Sequence, residues 1–453
     1  MIRNVFKYAL ICLAVLVMCS AQAQLQFKLD RSMGELAFGS PEEVGINGKI
    51  LNTEIERILR QAIDSMAFPG AQVLLAKDGI IFYQGSFGYH TYDSIRKVQD
   101  TDLYDLASVT KVTATTLALM KLYEDGLFDL EQTFGYYFPK IARGDKKDLT
   151  MREILAHQSG LRAWIPYWSE SQRKNGKWRW NTVKHDSSKR FPYRLEGTDL
   201  FLHKDFKERK IYKMIKKSDL SEEKKYVYSG LVFYLFPELV QRLSGKPFDQ
   251  YLEDNFYGPL DATTLTFNPT TEYPLERIVP TENDTFFRQA QLHGVVHDEG
   301  AAMMLGVSGN AGLFSNAQDL AKVYQMLLNE GQYGAMRFLK AETIEEFTSV
   351  QFPENENRRG LGFDKPLLTY DARISSVAKD SSPASYGHTG YTGTLVWADP
   401  DNDLLFIFLS NRVYPTRNNG KIYDLNVRPN IHNLVYELLR IGDGTYTLGR
   451  HWD

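Results

Sequence analysis

The stretch Asp105-Leu-Ala-Ser-Val-Thr-Lys111 contains a serine and a lysine at a spacing that indicates both structure and chemistry. Ser108 and Lys111 are three residues apart, a spacing that places both side chains on one face of a helix. Apolar residues continue at helical spacing as far as Leu122, and Gly126 is a typical helix end. The free amides of a helix amino end favour developing negative charge, and a nearby amine can take the serine's proton. The spacing therefore indicates a nucleophilic Ser108, although an N-capping serine with a solvated lysine would give the same pattern.

Composition limits the classes of function. The chain has 453 residues, with 53 basic and 56 acidic side chains and a formal net charge of −3. This near-neutral balance offers no electrostatic basis for binding nucleic acid or an anionic membrane surface. The length suits one large domain or two ordinary ones, and 43% hydrophobic residues predict a substantial core.

The amino terminus has the pattern of a secretory signal. Two basic residues precede an apolar run, residues 8–18, which is followed by Ser20-Ala-Gln-Ala23. We expect residues 1–23 to be a signal peptide cleaved after Ala23, which places residues 24–453 in the periplasm or outside the cell without a stable membrane span. Both cysteines, Cys12 and Cys19, lie within this segment, so the mature chain is expected to have no disulfide. Lipid anchoring at Cys19 is disfavoured because the preceding Met18 is bulky.

Hydrophobic periodicity predicts an α/β protein of the α+β type. Two β-rich runs flank Lys77-Asp78-Gly79, a strong hairpin signal, and two more flank the turn at Asp399-Pro-Asp-Asn402. Helices are predicted over residues 50–66, after a capping Thr150, over 228–243 with a kink at Pro237, over 316–329 and over 431–440. This order predicts an antiparallel sheet built from both ends of the chain, flanked by helices, with an inserted, mostly helical region.

Residues 161–220 form an unusual segment rich in aromatic and basic residues. Trp164, Trp168, Trp178 and Trp180 lie among four lysines and arginines. The segment is either an insertion whose indoles pack on its own apolar side or a wall over a cleft whose aromatic side chains face substrate. Both interpretations are open from the sequence.

Other polar residues lie close together in the sequence. His293 and His297 are four apart beside Asp298 and Glu299, but their order is not that of a zinc protease. Local hydrogen bonding in a loop is the favoured interpretation, and we expect no metal and no cofactor. Adjacent carboxylates diverge on a helix or a strand, so these two are not a pair for glycoside hydrolysis. We expect His157 to be structural.

Two further motifs carry a resemblance to a known family. Gly387-His-Thr-Gly390 looks like the K-T-G element of penicillin-recognising serine hydrolases, and Tyr226-Val-Tyr228-Ser-Gly230 looks like their Y-x-N element. With Ser108-x-x-Lys111, three widely separated motifs occur in the family order. The chain thus resembles the serine β-lactamase and penicillin-binding-protein-like superfamily, on the class C β-lactamase and esterase side. This resemblance implies a β-lactamase/transpeptidase-like fold over residues 24–453.

The resemblance implies catalytic roles for four residues. Ser108 would be the acylated nucleophile, and Lys111 and Tyr228 would share proton transfer, with the pKa of the phenol lowered by neighbouring cations. His388 would line the cleft and either hold a substrate carboxylate or orient Tyr228. An alternative register makes Tyr226 the phenol, but with Tyr228 the following apolar run aligns as a helix.

The same resemblance implies substrate-binding roles next to His388. Thr389 would supply a hydroxyl contact, Gly390 belongs to the same element, and the backbone amide of Tyr391 would join that of Ser108 in an oxyanion hole.

Two departures from the family pattern bear on the substrate. Gly230 stands where the family has Asn or Asp, which puts efficient β-lactam or peptide turnover in doubt. His388 replaces lysine, and a neutral imidazole is a weaker carboxylate anchor than an ammonium. We expect an exported serine hydrolase acting on an ester or amide, such as a peptidoglycan-derived peptide, a β-lactam-like molecule or a small ester. The alternative is a non-catalytic wall-binding protein on the same scaffold.

Overall fold

The computed structural model describes residues 34–442 together with residues 446 and 448. The predicted signal peptide lies outside the described residues. The α-helices within them are α1 (Gly48–Asp64), α2 (Leu117–Glu124), α3 (Phe134–Tyr137), α4 (Met151–Leu155), α5 (Lys213–Lys217), α6 (Phe236–Ser244), α7 (Phe248–Leu252), α8 (Glu299–Met303), α9 (Ala317–Leu328), α10 (Ala341–Thr348), α11 (Lys421–Asp424) and α12 (Val427–Ile441).

The strands range from two to nine residues in length. They are β1 (Ala37–Phe38), β2 (Gly70–Lys77), β3 (Ile80–Gly88), β4 (Tyr104–Asp105), β5 (Val183–Lys184), β6 (Tyr193–Arg194), β7 (Phe201–Leu202), β8 (Thr266–Phe267), β9 (Asn283–Asp284), β10 (Ala290–Gln291), β11 (Leu313–Ser315), β12 (Gln332–Tyr333), β13 (Met336–Arg337), β14 (Tyr386–Thr389), β15 (Leu395–Asp399) and β16 (Leu404–Ser410).

The main sheet joins the two ends of the chain. Its strand order is β1-β3-β2-β16-β15-β14, and every pairing is antiparallel except the parallel pair β1–β3. The hairpin at Lys77-Asp78-Gly79 forms as predicted, with both turn residues at positive φ. Residues 89–385 lie between the two halves and carry α2 to α10. The predicted fold class is confirmed.

The sheet is buried on both faces. Alternate residues of β2 and β16 point to opposite sides, so that Leu74 and Ile407 join the core under the helical region. Leu75 and Phe406 join the core under α1 and α12, which pack against each other. Burial on both sides explains why these strands are nearly continuous apolar runs.

Three predicted elements differ from the structure. The helix predicted over 228–243 begins only at Phe236, and Pro237 is its second residue, where a missing N–H costs no intrahelical bond. The β-rich run predicted before the turn at residues 399–402 is two strands, β14 and β15, separated by a turn of their own. In the segment 161–220, the regular structure is one short helical turn, the small sheet β5-β7-β6 and a helical stretch in which a π-helical segment, Lys207–Tyr212, leads directly into α5.

The helices of the described residues include none that is both long and apolar enough to cross a membrane.

Candidate active site

Ser108 lies in a tight turn rather than in a continuous α-helix. A 3-10 turn, Ala107–Val109, is followed by a π-helical segment, Lys111–Thr116, that leads into α2. Ala107 has φ 47, a left-handed conformation that is strained for a residue with a side chain. Its amide donates to Asp105 Oδ1 at 2.8 Å, which holds the turn. The spacing still brings Lys111 Nζ to 3.0 Å from Ser108 Oγ.

Lys111 is held in place below the serine. Its side chain is only 3% exposed, and Nζ also donates to the backbone carbonyl of Asn310 at 2.9 Å. Asn310 is itself fixed, because its side-chain amide donates to the Tyr234 hydroxyl and its Oδ1 accepts from Ser308. The lysine therefore has a fixed direction toward Ser108 Oγ.

The turn after β14 packs directly on the nucleophile turn. Thr392 Oγ1 donates to the carbonyl of Asp105 at 2.7 Å, and Thr394 Oγ1 donates to that of Leu106 at 3.0 Å. A Cβ at Gly390 would lie 2.4 Å from the Leu106 carbonyl, so only glycine fits there. The His-Thr-Gly element and Ser108 are thereby neighbours in space.

The structure brings Tyr228, not Tyr226, to the lysine. Lys111 Nζ lies 5.3 Å from the ring centroid of Tyr228. The Tyr228 hydroxyl is buried and has no hydrogen-bond partner among the described residues. The Tyr226 hydroxyl instead accepts two hydrogen bonds from Arg359, at 3.0 and 3.1 Å.

His388 lies behind Tyr228 and does not line the cleft. Its ring centroid is 5.7 Å from that of Tyr228, and its Nδ1 is 2.6 Å from the carbonyl of Thr389. Burial, with the charges of Arg359 and Lys111, lowers the pKa of His388 to about 3. A neutral imidazole is a weaker carboxylate anchor than an ammonium, and the packing of this ring on Tyr228 agrees with the other expected role, which is to orient that phenol.

His157 packs against the same phenol ring. Its ring centroid lies 4.7 Å from that of Tyr228, and Nδ1 accepts from the amide of Ser229 at 3.2 Å. Burial, with Arg359, His388 and Lys111 nearby, holds the pKa of His157 well below its usual range. His157 therefore supports Tyr228 as a neutral side chain, beyond ending its own helix.

A cavity of about 400 Å³ opens beside Ser108. Its lining residues are those of the nucleophile turn, the 163–164 and 228–234 segments, the 297–299 and 310–311 segments, and Tyr391 and Arg417. The backbone amides of Ser108 and Tyr391 donate to no described residue, which leaves both available to an oxyanion. Thr389 and Gly390 contribute through backbone placement and are not part of the lining.

The tryptophans of the 161–220 segment fall into different surroundings. Trp168 and Trp178 pack against Phe287, which lies outside the segment, so their indoles contact the rest of the protein rather than an apolar side of the segment itself. Trp164 lines the cavity and is 53% exposed, as a cleft wall would require.

The polar cluster after residue 292 forms ion pairs and local hydrogen bonds. His293 Nε2 lies within 2.9 Å of the carbonyls of Leu275 and Ile278. His297 Nε2 is 2.9 Å from Glu282 Oε2. Within the described ranges, no three His, Cys, Asp or Glu side chains are grouped so that they could hold a metal ion.

Sequence reasoning missed some residues that shape the site. Asp105 bridges two segments, because Oδ1 accepts from Ala107 and Oδ2 accepts from the amide of His297 at 2.6 Å. Asn310 holds Lys111, and Arg359 supports both tyrosines, with its guanidinium 5.3 Å from the Tyr228 ring centroid. Apart from the Asp105–Ala107 hydrogen bond, these contacts join residues far apart in sequence, so no local spacing indicates them.

The sequence is similar to that of a known protein family and of individual proteins. A model of the family described as Beta-lactamase matches residues 55–427. The chain is 30% identical over 405 residues to an Escherichia coli K12 protein named "Putative D-alanyl-D-alanine carboxypeptidase", covering 83% of this chain and 86% of that protein.

Two solved structures have a similar fold. A penicillin-binding protein homologue from Caulobacter crescentus superposes with a TM-score of 0.59 at 16% identity, covering 86% of this chain and 97% of the other. EstCE1, described as a hydrolase with promiscuous acyltransferase activity, gives 0.57 at 18% identity, covering 85% and 99%.

Proposed function

Because the chain belongs to the Beta-lactamase family of serine hydrolases, we propose that it hydrolyses an ester or amide through an acyl-enzyme on Ser108. The observation that carries this proposal is the 3.0 Å contact between Lys111 Nζ and Ser108 Oγ beneath a cavity of about 400 Å³. A nucleophile in hydrogen-bond contact with a basic group, and open to a cavity, is the arrangement that acyl transfer needs.

Each group in the site has one role in the proposed reaction. As Ser108 Oγ attacks the acyl carbon, its proton passes to Lys111 and Tyr228, which return a proton to the leaving group. The oxyanion is stabilised by the amides of Ser108 and Tyr391, and one such donor typically lowers the barrier by about 3 kcal/mol. Water then attacks the acyl-enzyme and releases the acid.

The substrate class follows from the relatives and from the site. The E. coli relative's name refers to D-alanyl-D-alanine peptides, so we propose cell-wall-derived peptides among the candidates, together with β-lactam-like molecules and small esters. His388 is neutral and buried where the family element has lysine, and Gly230 provides no side-chain amide. Both features favour esters over peptides and β-lactams.

Export is part of the proposal. The predicted signal, residues 1–23, supports a mature protein that begins at Gln24 in the periplasm or outside the cell. Amino-terminal sequencing of the protein from periplasmic and culture fractions tests this, and an uncleaved chain confined to the cytoplasm would refute it.

Covalent labelling tests the nucleophile. A fluorophosphonate probe should raise the intact mass of the wild type by one probe adduct and leave the intact mass of Ser108→Ala unchanged. Ser229→Ala is the matched control, because Ser229 lies near the cleft but donates its hydroxyl to the Arg162 carbonyl at 2.7 Å, and it should still be labelled. Equal labelling of wild type and Ser108→Ala would refute the proposal.

A non-catalytic binding protein is the second candidate, favoured only by Gly230. It predicts ligand binding that survives Ser108→Ala and no turnover of esters, β-lactams or D-alanyl-D-alanine peptides by the wild type. The close contact of Lys111 with Ser108 favours the enzyme, since a protein that only binds has no need of an activated hydroxyl.

A further inference from the structure

One carboxylate in the wall of the active-site cavity has no cationic partner. Asp298 is half-buried and lines the cavity with Ser108. Its Oδ1 accepts from the Tyr234 hydroxyl at 3.1 Å and from the amide of Ala301 at 2.7 Å, which caps α8. Among the described residues, no donor reaches Oδ2, and no lysine, arginine or histidine nitrogen lies within 4.0 Å of the carboxylate.

The lysine and the arginine that line this cavity already have partners. Arg417 lines the cavity, but its Nη2 lies 2.6 Å from both Glu282 Oε2 and Glu299 Oε1. Hydrogen bonds from His297 and Arg417 outweigh burial and lower the pKa of Glu282 to about 2, so this carboxylate stays charged. Lys111 is held by Ser108 and Asn310.

Arg288, a buried cation next to this wall, also has partners. It donates to the carbonyls of Val296 and His297 and pairs with Asp284. It partly offsets the charge of Asp298 from below without reaching the cavity, whose lining does not include it. Among the described residues, Asp298 is therefore the carboxylate of this lining that has no cationic partner, whereas Lys111 and Arg417, the lysine and arginine of the lining, already have partners.

An aromatic side chain reinforces the attraction of this wall for a cation. Trp164 lines the same cavity and is 53% exposed, whereas the ring of Tyr391 already has the Arg412 guanidinium 4.5 Å from its centroid. The faces of indole and phenol rings attract cations, and the attraction increases where water is partly excluded. A carboxylate with aromatic neighbours is a site for an ammonium group rather than for a carboxylate.

Building on the proposed function, we propose that Asp298 is a specificity-determining residue that binds a free amine of the substrate. The preferred substrates are then aminoacyl esters or amides, or peptides with an uncapped amino group, rather than N-acylated or anionic analogues. A partly desolvated ion pair of this kind favours the amine by about 10-fold or more in kcat/KM.

Matched esters test the proposal. The p-nitrophenyl esters of D- and L-alanine are compared with their N-acetyl derivatives in the wild type and in Asp298→Asn. The substitution keeps an oxygen that can cap α8 and accept from Tyr234, but it removes the charge. The amine-to-acetyl ratio of kcat/KM should fall about 10-fold or more in Asp298→Asn for the preferred enantiomer. Intrinsic ester reactivity cancels in this comparison because both enzymes receive the same substrates.

Glu299→Gln is the control, since Glu299 is already paired with Arg417. Its ratio should stay close to that of the wild type. An unchanged ratio in Asp298→Asn, or an equal fall in both variants, would overturn the assignment.

Binding separates this inference from the proposed function. Calorimetric titration of Ser108→Ala with alanine amide and with N-acetylalanine amide measures the amine preference without turnover. If no ester is hydrolysed and no probe labels Ser108, the proposed function fails; a preference for alanine amide that Asp298→Asn abolishes would still support the amine site. Equal binding of the two amides would overturn it.

Discussion

The side-chain nitrogen of Lys111 donates a 2.9 Å hydrogen bond to the backbone carbonyl of Asn310, which lies 199 residues further along the chain. A Cβ placed on Gly230 would be 3.9 Å from Lys111 Cε, so the position of the missing family amide is open and lies next to the lysine. The Asn310 carbonyl keeps Nζ of Lys111 oriented, but a carbonyl oxygen cannot donate a hydrogen bond to a substrate amide as a side-chain amide could. The contacts of Lys111 with Ser108 and Asn310 are therefore present, whereas the side-chain contact from position 230 to an amide substrate is absent.

Restoring that amide should shift the substrate range. Gly230 does not have the left-handed φ that would oppose a side chain, and its Cβ position is free of close contacts. Gly230→Asn should raise the kcat/KM for a peptide or β-lactam relative to an ester by about 10-fold, because the new side chain can hydrogen-bond the substrate amide. Gly230→Ala fills the same space without the amide and should leave the ratio unchanged; equal shifts in the two variants would contradict the argument.

The two tyrosines can be separated by single substitutions. Tyr228→Phe should lower kcat/KM by about 100-fold or more, because Tyr228 is the phenol beside Lys111 and a proton-transfer group contributes at least this much. Tyr226→Phe should cost about 1 kcal/mol of unfolding free energy through its lost bonds to Arg359, with activity within a few fold. Steady-state kinetics and urea unfolding check both, and the reverse pattern would favour the other register.

Local patterns predicted the elements that depend on local chemistry. The helix predicted over 316–329 is α9, with Asn316 accepting from the amide of Asp319 at its start, and Thr150 caps α4 as expected. Apolar runs predicted the sheet from both chain ends because strands buried on two faces need such runs. Periodicity could not show where a helix begins, so Pro237 was expected to kink a helix that it instead opens.

Contacts between distant segments escaped prediction for a physical reason. His388 was expected in the cleft because its motif follows the family order, but which face of β14 is buried depends on the packing of Tyr228 and Arg359. The sequence places Asp298 beside Glu299, but it cannot show that the Asp298 carboxylate faces a cavity, because residues from distant segments form that cavity.

His388 should make stability depend on pH in a defined window. Burial lowers its pKa to about 3 in the folded protein, whereas an unfolded histidine titrates near about 6.5. Below about pH 6.5 the unfolded chain binds a proton that the folded chain excludes, so stability falls as the pH drops toward about 3, by at most about 1.4 kcal/mol per pH unit. Urea unfolding of the wild type and of His388→Asn at pH 6, 5 and 4 should show a shallower loss in the variant. Identical slopes would show that this imidazole is not buried and neutral.

Asp105 should act on the rate through the geometry of the nucleophile turn. Its two oxygens accept from the amides of Ala107 and His297, and burial raises the pKa of its carboxyl. In Asp105→Asn, one of these amides faces an NH₂ group and loses its acceptor, which costs about 1–3 kcal/mol of stability. Because Ala107 is held at φ 47 immediately before Ser108, the turn should relax and kcat should fall by about 10-fold or more, with a smaller change in KM.

Asp102→Asn is the control for stability alone. Asp102 is fully buried and contacts His90 and the amide of Gln99, away from the serine. Both variants should unfold at lower urea concentrations, but at 20 °C, with the folded fraction measured by circular dichroism, only Asp105→Asn should have a reduced kcat per folded molecule. If the two variants lose kcat equally, or if Asp105→Asn retains full kcat, Asp105 does not position the nucleophile, and the strained turn is maintained by its packing against Thr392 and Thr394.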